Sequence, residues 1–372
     1  MIVGVDSITR LGTLAAEFGV NRVLVVTDPG IVAAGHAQRG IVSLTDAGLT
    51  TQLFDGAREN PTTDDVNAGL EIAQQFKPEI IVGLGGGSSM DCAKGINFLL
   101  SNGGQMKDYW GVGKATQDML PMIAVPTTSG TGSEMQSFAL ISDAETHVKM
   151  ACGDKRASCR IAILDPKLTL TQPENVTALT GIDAISHALE TYVTKKRNPI
   201  SLLFSRESWK LLAGNFRRVL NDPSDLDARA AMQLGAAYAG MAIENSMLGA
   251  SHALANPLTA TYSTAHGQAV GAMLPHVIRF NGEKFDHWYG ELLQASEGIE
   301  GCPPASAGTQ GLAQFVTELV SAAGLDVELG SLGVERARLP ELADAAAEQW
   351  TGTFNPREVD AKALLGLYEN AF

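Results

Sequence analysis

The sequence predicts a two-domain protein in which an α/β domain with a parallel sheet is followed by an all-α domain. In the first half of the chain, short β-branched runs alternate with helical patterns, which is typical of a parallel sheet covered by helices. After about Pro173 the chain changes to long segments rich in Ala, Leu, Glu and Met that lack β-branched runs. With 372 residues and 45% hydrophobic content, the chain is long enough to build two cores. We therefore expect domains at residues 1–176 and 177–372.

Four β-branched runs are the best strand candidates of the first domain. They are "RVLVVTD" (residues 22–28), "EIIVGLGGG" (79–87), "MIAVPTTSGTG" (122–132) and "IAILDP" (161–166). A helical pattern over residues 64–76 lies between the first two, and residues 227–247 are the clearest helix of the second domain.

Charge and cysteine usage exclude several classes of protein. The chain has 41 acidic and 27 basic residues, a formal charge of -14, and no basic run longer than residues 195–197. This balance argues against a nucleic-acid or anionic-membrane partner. No uncharged apolar run reaches about 18 residues, and the first residues lack the basic start of a signal peptide. The four cysteines form no CxxC pair, so we expect reduced thiols and a cytoplasmic location.

A glycine-rich turn follows the second strand candidate, with Gly85, Gly86 and Gly87 leading into a helix that we expect to begin near Ser88. Glycines let the backbone approach a ligand closely, and unpaired N–H groups at a helix start attract anions, so a pyrophosphate fits here. The spacing is neither GxGxxG nor a Walker A loop. The alternative is a plain strand-to-helix turn in which Asp91 favours the helix dipole.

A second loop, "PTTSGTGSE" over residues 126–134, places the hydroxyls of Thr127, Thr128 and Thr131 around two glycines. The spacing of Thr131 and Glu134 also fits a capping box, which is the alternative. Open α/β sheets bind ligands at the carboxyl ends of neighbouring strands, so two such loops favour a nucleotide and a Rossmann-like, dinucleotide-binding domain. We expect Gly86, Asp91 and Thr131 to contribute to that site.

Asp28 ends the first strand candidate, where a carboxylate can accept both hydroxyls of a ribose. The same charge would repel a 2′-phosphate, so Asp28 favours NAD over NADP. Because this acid precedes the glycine loop and does not follow it as in the usual fingerprint, a turn role within "TDPG" is the competing interpretation.

The helix predicted over residues 181–194 carries Asp183 and His187 four residues apart, on one face. The pair can converge on one metal ion, or Asp183 can cap the helix beside a buried histidine. His252 and His266 supply further imidazoles, but one continuous helix would separate them by about 21 Å. We expect Pro257 and nearby threonines to break that helix and bring the histidines together. One carboxylate and three imidazoles suit Fe²⁺ or Zn²⁺ and leave positions open for a substrate oxygen.

Taken together, these blocks resemble the iron-dependent, group III alcohol dehydrogenases, which share their fold with glycerol dehydrogenase and dehydroquinate synthase. The resemblance spans nearly the whole chain. It rests on "NPTTDDV" (residues 60–66), "GGGSSMDCAK" (85–94), "PTTSGTGSE" (126–134), "GIDAISHALETYV" (181–193), residues 252–276 and "NPREV" (355–359).

The resemblance implies a homodimeric, NAD-linked alcohol dehydrogenase or aldehyde reductase that transfers hydride between nicotinamide and a small alcohol or carbonyl. It implies that the metal ligands are Asp183, His187, His252 and His266. It also implies that the dinucleotide site includes Asp28, Asn60, Gly87, Ser88, Thr127, Thr128 and Lys149.

Two departures from the family stand out. Many members carry a histidine, suspected of proton transfer, where this chain has Asn256, and an amide cannot act as a general acid at neutral pH. The N-terminus also lacks most of the family's leading strand, as a late start codon or a trimmed sheet edge would explain. Three alternatives remain: a hydroxyacid:oxoacid transhydrogenase, a catalytically weak NAD-binding relative, and a dehydroquinate synthase-like lyase. The absence of Lys and Arg around the proposed ligands argues against the lyase.

Overall fold

The computed structural model describes all 372 residues, which divide into two compact units. The first unit comprises Met1–Thr128 and Gly132–Gln172, and the second comprises Ser129–Thr131 and Pro173–Phe372. None of the helices is both long and apolar enough to cross a membrane.

The first unit contains nine strands and five helices. The strands are β1 (Ile2–Val3), β2 (Arg22–Val26), β3 (Thr50–Phe54), β4 (Ile80–Gly85), β5 (Gly111–Val112), β6 (Met122–Pro126), β7 (Phe138–Ser142), β8 (Lys149–Gly153) and β9 (Ile161–Leu164). The helices are α1 (Leu11–Ala16), α2 (Pro29–Ala33), α3 (His36–Asp46), α4 (Thr63–Phe76) and α5 (Gly87–Asn102).

Six of these strands form one sheet in the order β1-β9-β6-β4-β2-β3, and every pair in it is parallel. The prediction of a parallel α/β sheet is therefore confirmed, and each of the four predicted runs contains one of its strands. All six residues of β4 are buried, as expected for a central parallel strand that is covered on both faces. The order places the carboxyl ends of β2, β4 and β6 side by side, so the loops that follow them meet at one edge.

Helix α4 shows how local chemistry sets a boundary in this unit. Thr62 and Asp65 form a reciprocal capping box at its start, and Lys77 ends it in the left-handed conformation with φ 56°. Between these ends the buried face of α4 presents Val66 and Ala73 to the core. The helix predicted over residues 64–76 is confirmed.

A second sheet of three strands, in the order β5-β8-β7, was not predicted. Strands β7 and β8 are antiparallel, with Leu140 opposite Ala151. Their sequences, "FALIS" and "KMACG", contain little of the β-branched enrichment that marks a strand.

The second unit is helical, as predicted. Its helices are α6 (Glu174–Val193), α7 (Pro199–Asn221), α8 (Leu226–Asn245), α9 (Ala250–Tyr262), α10 (His266–Ala295), α11 (Gly308–Ala322), α12 (Leu339–Ala347) and α13 (Ala361–Ala371). Helix α6 lies in the core, where Gly181 faces Phe216 of α7. A Cβ at Gly181 would come within 2.3 Å of the Phe216 ring, so only glycine permits this close approach.

Candidate functional site

Asp183 and His187 lie near the middle of α6, and both are buried. Because α6 begins at Glu174, Asp183 does not cap a helix, and that alternative explanation of the pair is wrong. A carboxylate and an imidazole inside a core helix are costly unless they have partners. Those partners come from two other helices.

His252 is the third residue of α9, and His266 is the first residue of α10. The expected interruption of the helix between them is confirmed, but Pro257 does not make it, because α9 continues through Pro257. The helix ends instead at Ser263, whose φ of 55° is left-handed. A proline inside a helix removes one donor, whereas a left-handed residue turns the chain out of the helix. The predicted reversal of the chain thus occurs six residues later.

Asp183, His187 and His252 converge on one point, with their ligand atoms within 4.8 Å of one another, and His266 lies beside them. Oδ1 of Asp183 lies 3.3 Å from Nε2 of His187, 3.4 Å from Nε2 of His252 and 3.7 Å from Nε2 of His266. The Nε2 atoms of His187 and His252 are 3.1 Å apart. Donors at about 2.1 Å from one ion would be separated by roughly 3.0–3.4 Å, so Asp183, His187 and His252 fit a single divalent metal. His266, at 3.7 Å from Asp183 Oδ1, lies slightly farther out.

Asp183 provides the test of that fit. Its Oδ1 is buried and makes no hydrogen bond, although a buried carboxylate oxygen normally has a partner. A cation among the three imidazoles would satisfy it. The side chain of His266 is 31% exposed, against 6% for His187 and His252, so the site is most open beside His266.

In the absence of metal, burial and the charges within the cluster shift the pKa values of its side chains. Burial alone would raise the pKa of Asp183, but the surrounding imidazoles, with His187 foremost, hold it well below its usual value. Burial lowers the pKa of His187. Burial also acts to lower that of His252, but the carboxylates of Glu190 and Asp183 outweigh it and raise the pKa to about 9.

Glu190 was not identified from the sequence, although it lies on α6 three residues after His187. Its Oε2 is 2.6 Å from Nδ1 of His252, and its Oε1 accepts a 2.6 Å hydrogen bond from the backbone N–H of Ser251. Spacings of three and seven residues from His187 and Asp183 place Glu190 on the same helix face. This spacing is the signal in the sequence from which Glu190 could have been identified as part of the site.

In the first unit, the glycine turn after β4 forms a cradle at the start of α5. Gly85 has φ 149°, and a Cβ there would come within 2.4 Å of Ser89 Oγ. Helix α5 begins at Gly87, close to the predicted position, and no side chain caps it at Gly86. An uncapped start of a 16-residue helix leaves N–H groups that suit a pyrophosphate.

Further predicted cofactor residues, Asp28 after β2, Asn60 before α4 and Lys149 at the start of β8, are linked to this cradle by hydrogen bonds. Asp28 accepts hydrogen bonds from Ser89 Oγ at 2.8 Å and from the N–H of Ile31 at 3.1 Å. The N–H of Asn60 donates to Ser88 Oγ at 3.3 Å, and Lys149 donates to Asn60 Oδ1 at 3.2 Å. Asp28 also caps α2, so its turn role is real and leaves further lone pairs for a ribose.

The loop after β6 supplies the remaining hydroxyl groups. Thr128 lies against Gly86, where a Cβ on the glycine would approach it at 3.4 Å. Oγ1 of Thr127 is buried and without a hydrogen-bond partner. Thr131 belongs to the segment Ser129–Thr131, which clusters with the second unit. No α-helix begins at Thr131, so the capping-box alternative is wrong; Gly132, with φ 62°, precedes a single 3-10 turn.

A buried cluster around Lys94 supports this loop. Lys94 is fully buried and donates to Ser133 O at 2.7 Å, Ser133 Oγ at 2.8 Å and Phe138 O at 2.9 Å. Ser133 Oγ in turn donates to Asp91 Oδ1 at 2.7 Å. Asp91, predicted to contribute to the cofactor site, is thus a supporting residue of the loop in this structure.

Asn256, one turn after His252 on α9, is half-buried. Its Nδ2 donates to Oε1 of Gln349 at 2.9 Å. With the amide nitrogen held in this way, Oδ1 is the atom of Asn256 that can accept a hydrogen bond from a ligand. Gln349 was not identified from the sequence, because it lies 93 residues away along the chain.

Comparison with known proteins gives a consistent result over the whole chain. Residues 1–166 match the profile of the iron-containing alcohol dehydrogenases, and residues 177–372 match that of the C-terminal region of the same family. The chain is 34% identical to the 1,3-propanediol dehydrogenase of Klebsiella pneumoniae, an alignment that covers 99% of this chain and 96% of the relative.

Solved structures agree with this match. A 1,3-propanediol oxidoreductase superposes with a TM-score of 0.95 at 32% identity, covering 100% of this chain and 97% of that structure. A sulfoacetaldehyde reductase from Bifidobacterium kashiwanohense, solved in complex with NAD+, superposes with a TM-score of 0.90 at 26% identity and covers 100% and 96%.

Proposed function

The chain belongs to the iron-containing alcohol dehydrogenase family, and on that premise we propose which of its residues hold the metal and the cofactor. It is an NAD-linked oxidoreductase that acts on alcohols and aldehydes. The proposed ligands of Fe²⁺ are Asp183, His187, His252 and His266. We further propose that residues 1–176 bind NAD and that residues 177–372 carry the metal.

The observation that carries this assignment is the buried Oδ1 of Asp183, which lacks a hydrogen bond and has three imidazole nitrogens within 3.7 Å. A purely structural cluster would be expected to satisfy that oxygen from within. Imidazole and carboxylate donors suit Fe²⁺ or Zn²⁺, and the family favours iron.

The chemistry divides between the cofactors and the chain. Bound Fe²⁺ supplies the Lewis acidity that favours loss of a proton from an alcohol, and NAD supplies the hydride acceptor. The chain binds and orients these groups. His266 marks the open side from which a substrate oxygen enters. Asn256, held by Gln349, orients a hydroxyl or a water through Oδ1 and moves no proton itself.

We propose a small alcohol or aldehyde without strong charge as the substrate. Residues 181–191 and 248–271, which surround the four proposed ligands, contain no Lys or Arg, so they offer nothing to pair with a phosphorylated or acidic compound. This composition also speaks against a lyase that acts on a phosphorylated sugar acid.

We also propose a homodimer that works in the cytoplasm. The dimer is supported by β1, an edge strand that pairs only with β9 and leaves its other edge available to a second copy of the chain. Val3 of β1 and the nearby Val5 are each about half exposed. The location is supported by the four cysteines, all of which are unpaired. Sedimentation analysis tests the first proposal.

Removal of the metal tests the proposed centre. We expect dialysis against a chelator to abolish NADH oxidation with small aldehydes, and anaerobic addition of Fe²⁺ to restore it, because only the ion stabilises charge on the substrate oxygen. Metal content and steady-state rate are measured on the same samples, and addition of Mg²⁺ serves as the control. Full activity in metal-free protein would exclude the centre.

Replacement of Asp28 tests the cofactor assignment. In Asp28→Ser, the hydroxyl still caps α2 but no charge faces the ribose. We expect the preference for NAD over NADP, measured as the ratio of kcat/KM values, to fall by about 10- to 100-fold, which is the loss of one or two hydrogen bonds to a charged acceptor. Asp55→Ser, on the exposed residue after β3, is the matched control. An unchanged ratio in Asp28→Ser would place the ribose elsewhere.

A further inference from the structure

Glu190 is a buried carboxylate with two donors arranged on its two oxygens. Its side chain is 4% exposed. Oε1 accepts from the N–H of Ser251, and Oε2 lies 2.6 Å from Nδ1 of His252. An ionised carboxylate only accepts hydrogen bonds, so the proton of this contact lies on Nδ1 of the imidazole. Nε2, the atom that points at Asp183, is then the nitrogen with the free lone pair.

The start of α9 depends on the same carboxylate. Gly249, at the N-cap position, has no side chain with which to cap the helix. Its place is taken by two distant groups: Oε1 of Glu190 bonds Ser251 N–H at 2.6 Å, and Oδ1 of Asn355 bonds Ala250 N–H at 3.3 Å. A Cβ on Gly249 would lie 3.1 Å from both oxygens. Glycine therefore leaves the space that these two caps occupy.

His187, the other imidazole ligand of this buried pair, differs from His252 in this respect. Nδ1 of His187 is buried and makes no hydrogen bond. Glu190 is thus the carboxylate that orients an imidazole of this site, and it does so from the helix that also carries Asp183 and His187.

We propose that Glu190 is a positioning residue of the metal site, which fixes His252 in the Nδ1–H tautomer and sets the first turn of α9 so that Nε2 faces the ion. The inference rests on the proposed metal ligands and names the group that prepares one of them. Only a carboxylate meets the requirement, because two donors need two acceptor oxygens and an amide has one. Glutamine fills the same volume but must turn its NH₂ group towards either Ser251 N–H or His252 Nδ1.

The test is Glu190→Gln, studied with and without metal. We expect its affinity for Fe²⁺, measured anaerobically by competition with a chelator, to fall by about 10- to 100-fold. In metal-free protein labelled with ¹⁵N-histidine and held at about pH 10, above the His252 pKa of about 9 so that the ring is neutral, the signal of His252 should move from the Nδ1–H pattern towards the Nε2–H pattern. The chain has seven histidines, and His252→Gln identifies the signal. Circular dichroism confirms that the variant is folded.

Asn355→Ala is the matched control. It removes the neighbouring cap of α9 at Ala250 but leaves the contact between Glu190 and His252 in place. We expect a lower unfolding temperature with the parental tautomer and an Fe²⁺ affinity within about threefold of the parent.

Two results would overturn the inference: parental affinity and tautomer in Glu190→Gln, or an equal loss of affinity in both variants. Failure of the parent protein to bind Fe²⁺ would instead count against the proposed function, and the tautomer measurement would still decide the role of Glu190.

Discussion

Asp183→Ala should lose its metal and fall in kcat/KM by about a thousandfold, the equivalent of roughly 4 kcal/mol of transition-state stabilisation. Asp183 is the only carboxylate among the four converging side chains, and its Oδ1 lies within 3.7 Å of all three imidazole nitrogens. Without it the ion loses its one anionic ligand. Three imidazoles then remain in a buried pocket with no opposite charge from Asp183, which further disfavours a dication.

Metal content by atomic spectroscopy and steady-state kinetics with NADH measure this effect. Binding of NADH, followed by its fluorescence, should stay within about twofold of the parent, because the predicted cofactor residues around the glycine turn lie in the first unit. Asp183→Asn keeps the volume of the side chain and separates loss of charge from loss of packing. Asp227→Asn, on the exposed first turn of α8, is the matched control. Full metal occupancy in Asp183→Ala would refute the ligand assignment.

The sequence was sufficient for the four inner strands of the main sheet, β2, β4, β6 and β9, because they are largely buried. The edge strands β1 and β3 are more exposed and were not predicted. Runs such as "VLVV" (residues 23–26) and "IIVGLG" (80–85) are continuously apolar and are followed by turn residues, so their assignment needs no knowledge of partners. Strands β7 and β8 are different. In β7, exposed Leu140 alternates with buried Ala139 and Ile141, and cross-strand pairing decides such a segment more than propensity does.

The difference between local and long-range information also explains which residues of the site could be predicted. Asp183 and His187 are four residues apart on one helix, so local spacing reveals them. Contacts between distant parts of the chain do not show in local spacing. Glu190 meets His252 across 62 residues, and Asn355 meets the start of α9 across 105. The break before His266 is expected from Pro257 and the threonines that follow it, whereas Ser263, a residue in the left-handed conformation, makes it. Backbone conformation of that kind is set by tertiary packing and is not encoded by residue type alone.

Lys94→Met should destabilise the first unit by about 3–5 kcal/mol at pH 8, the usual cost of removing one partner from a buried ionic cluster. The ammonium group is fully buried and serves three acceptors between 2.7 and 2.9 Å. Methionine fills the volume but leaves those acceptors without a donor. It also leaves the buried carboxyl groups of Asp91 and Glu134 without the cation that favours their ionised forms.

The loss of stability in Lys94→Met should depend on pH, and the direction of this dependence follows from the titration of Glu134. Burial raises the pKa of Glu134 to about 7 despite the opposing effect of Lys94. A carboxyl group whose pKa is raised by folding stabilises the protein below its unfolded pKa, and that stabilisation disappears as the pH rises through the folded value. Removing Lys94 raises the folded pKa further. The deficit of Lys94→Met should therefore be smaller at pH 5 than at pH 8.

Urea denaturation at both pH values measures this, with Lys114→Met at an exposed position as the matched control. The cluster also holds Ser133, in the loop that carries Thr127 and Thr128, so affinity for NADH should fall together with stability. A variant that unfolds at the parental urea concentration at pH 8 would show that Lys94 does not hold this loop. If stability fell while NADH affinity stayed parental, the loop would be independent of the cluster. We expect both quantities to fall, because the same three hydrogen bonds anchor the loop and compensate the buried charge.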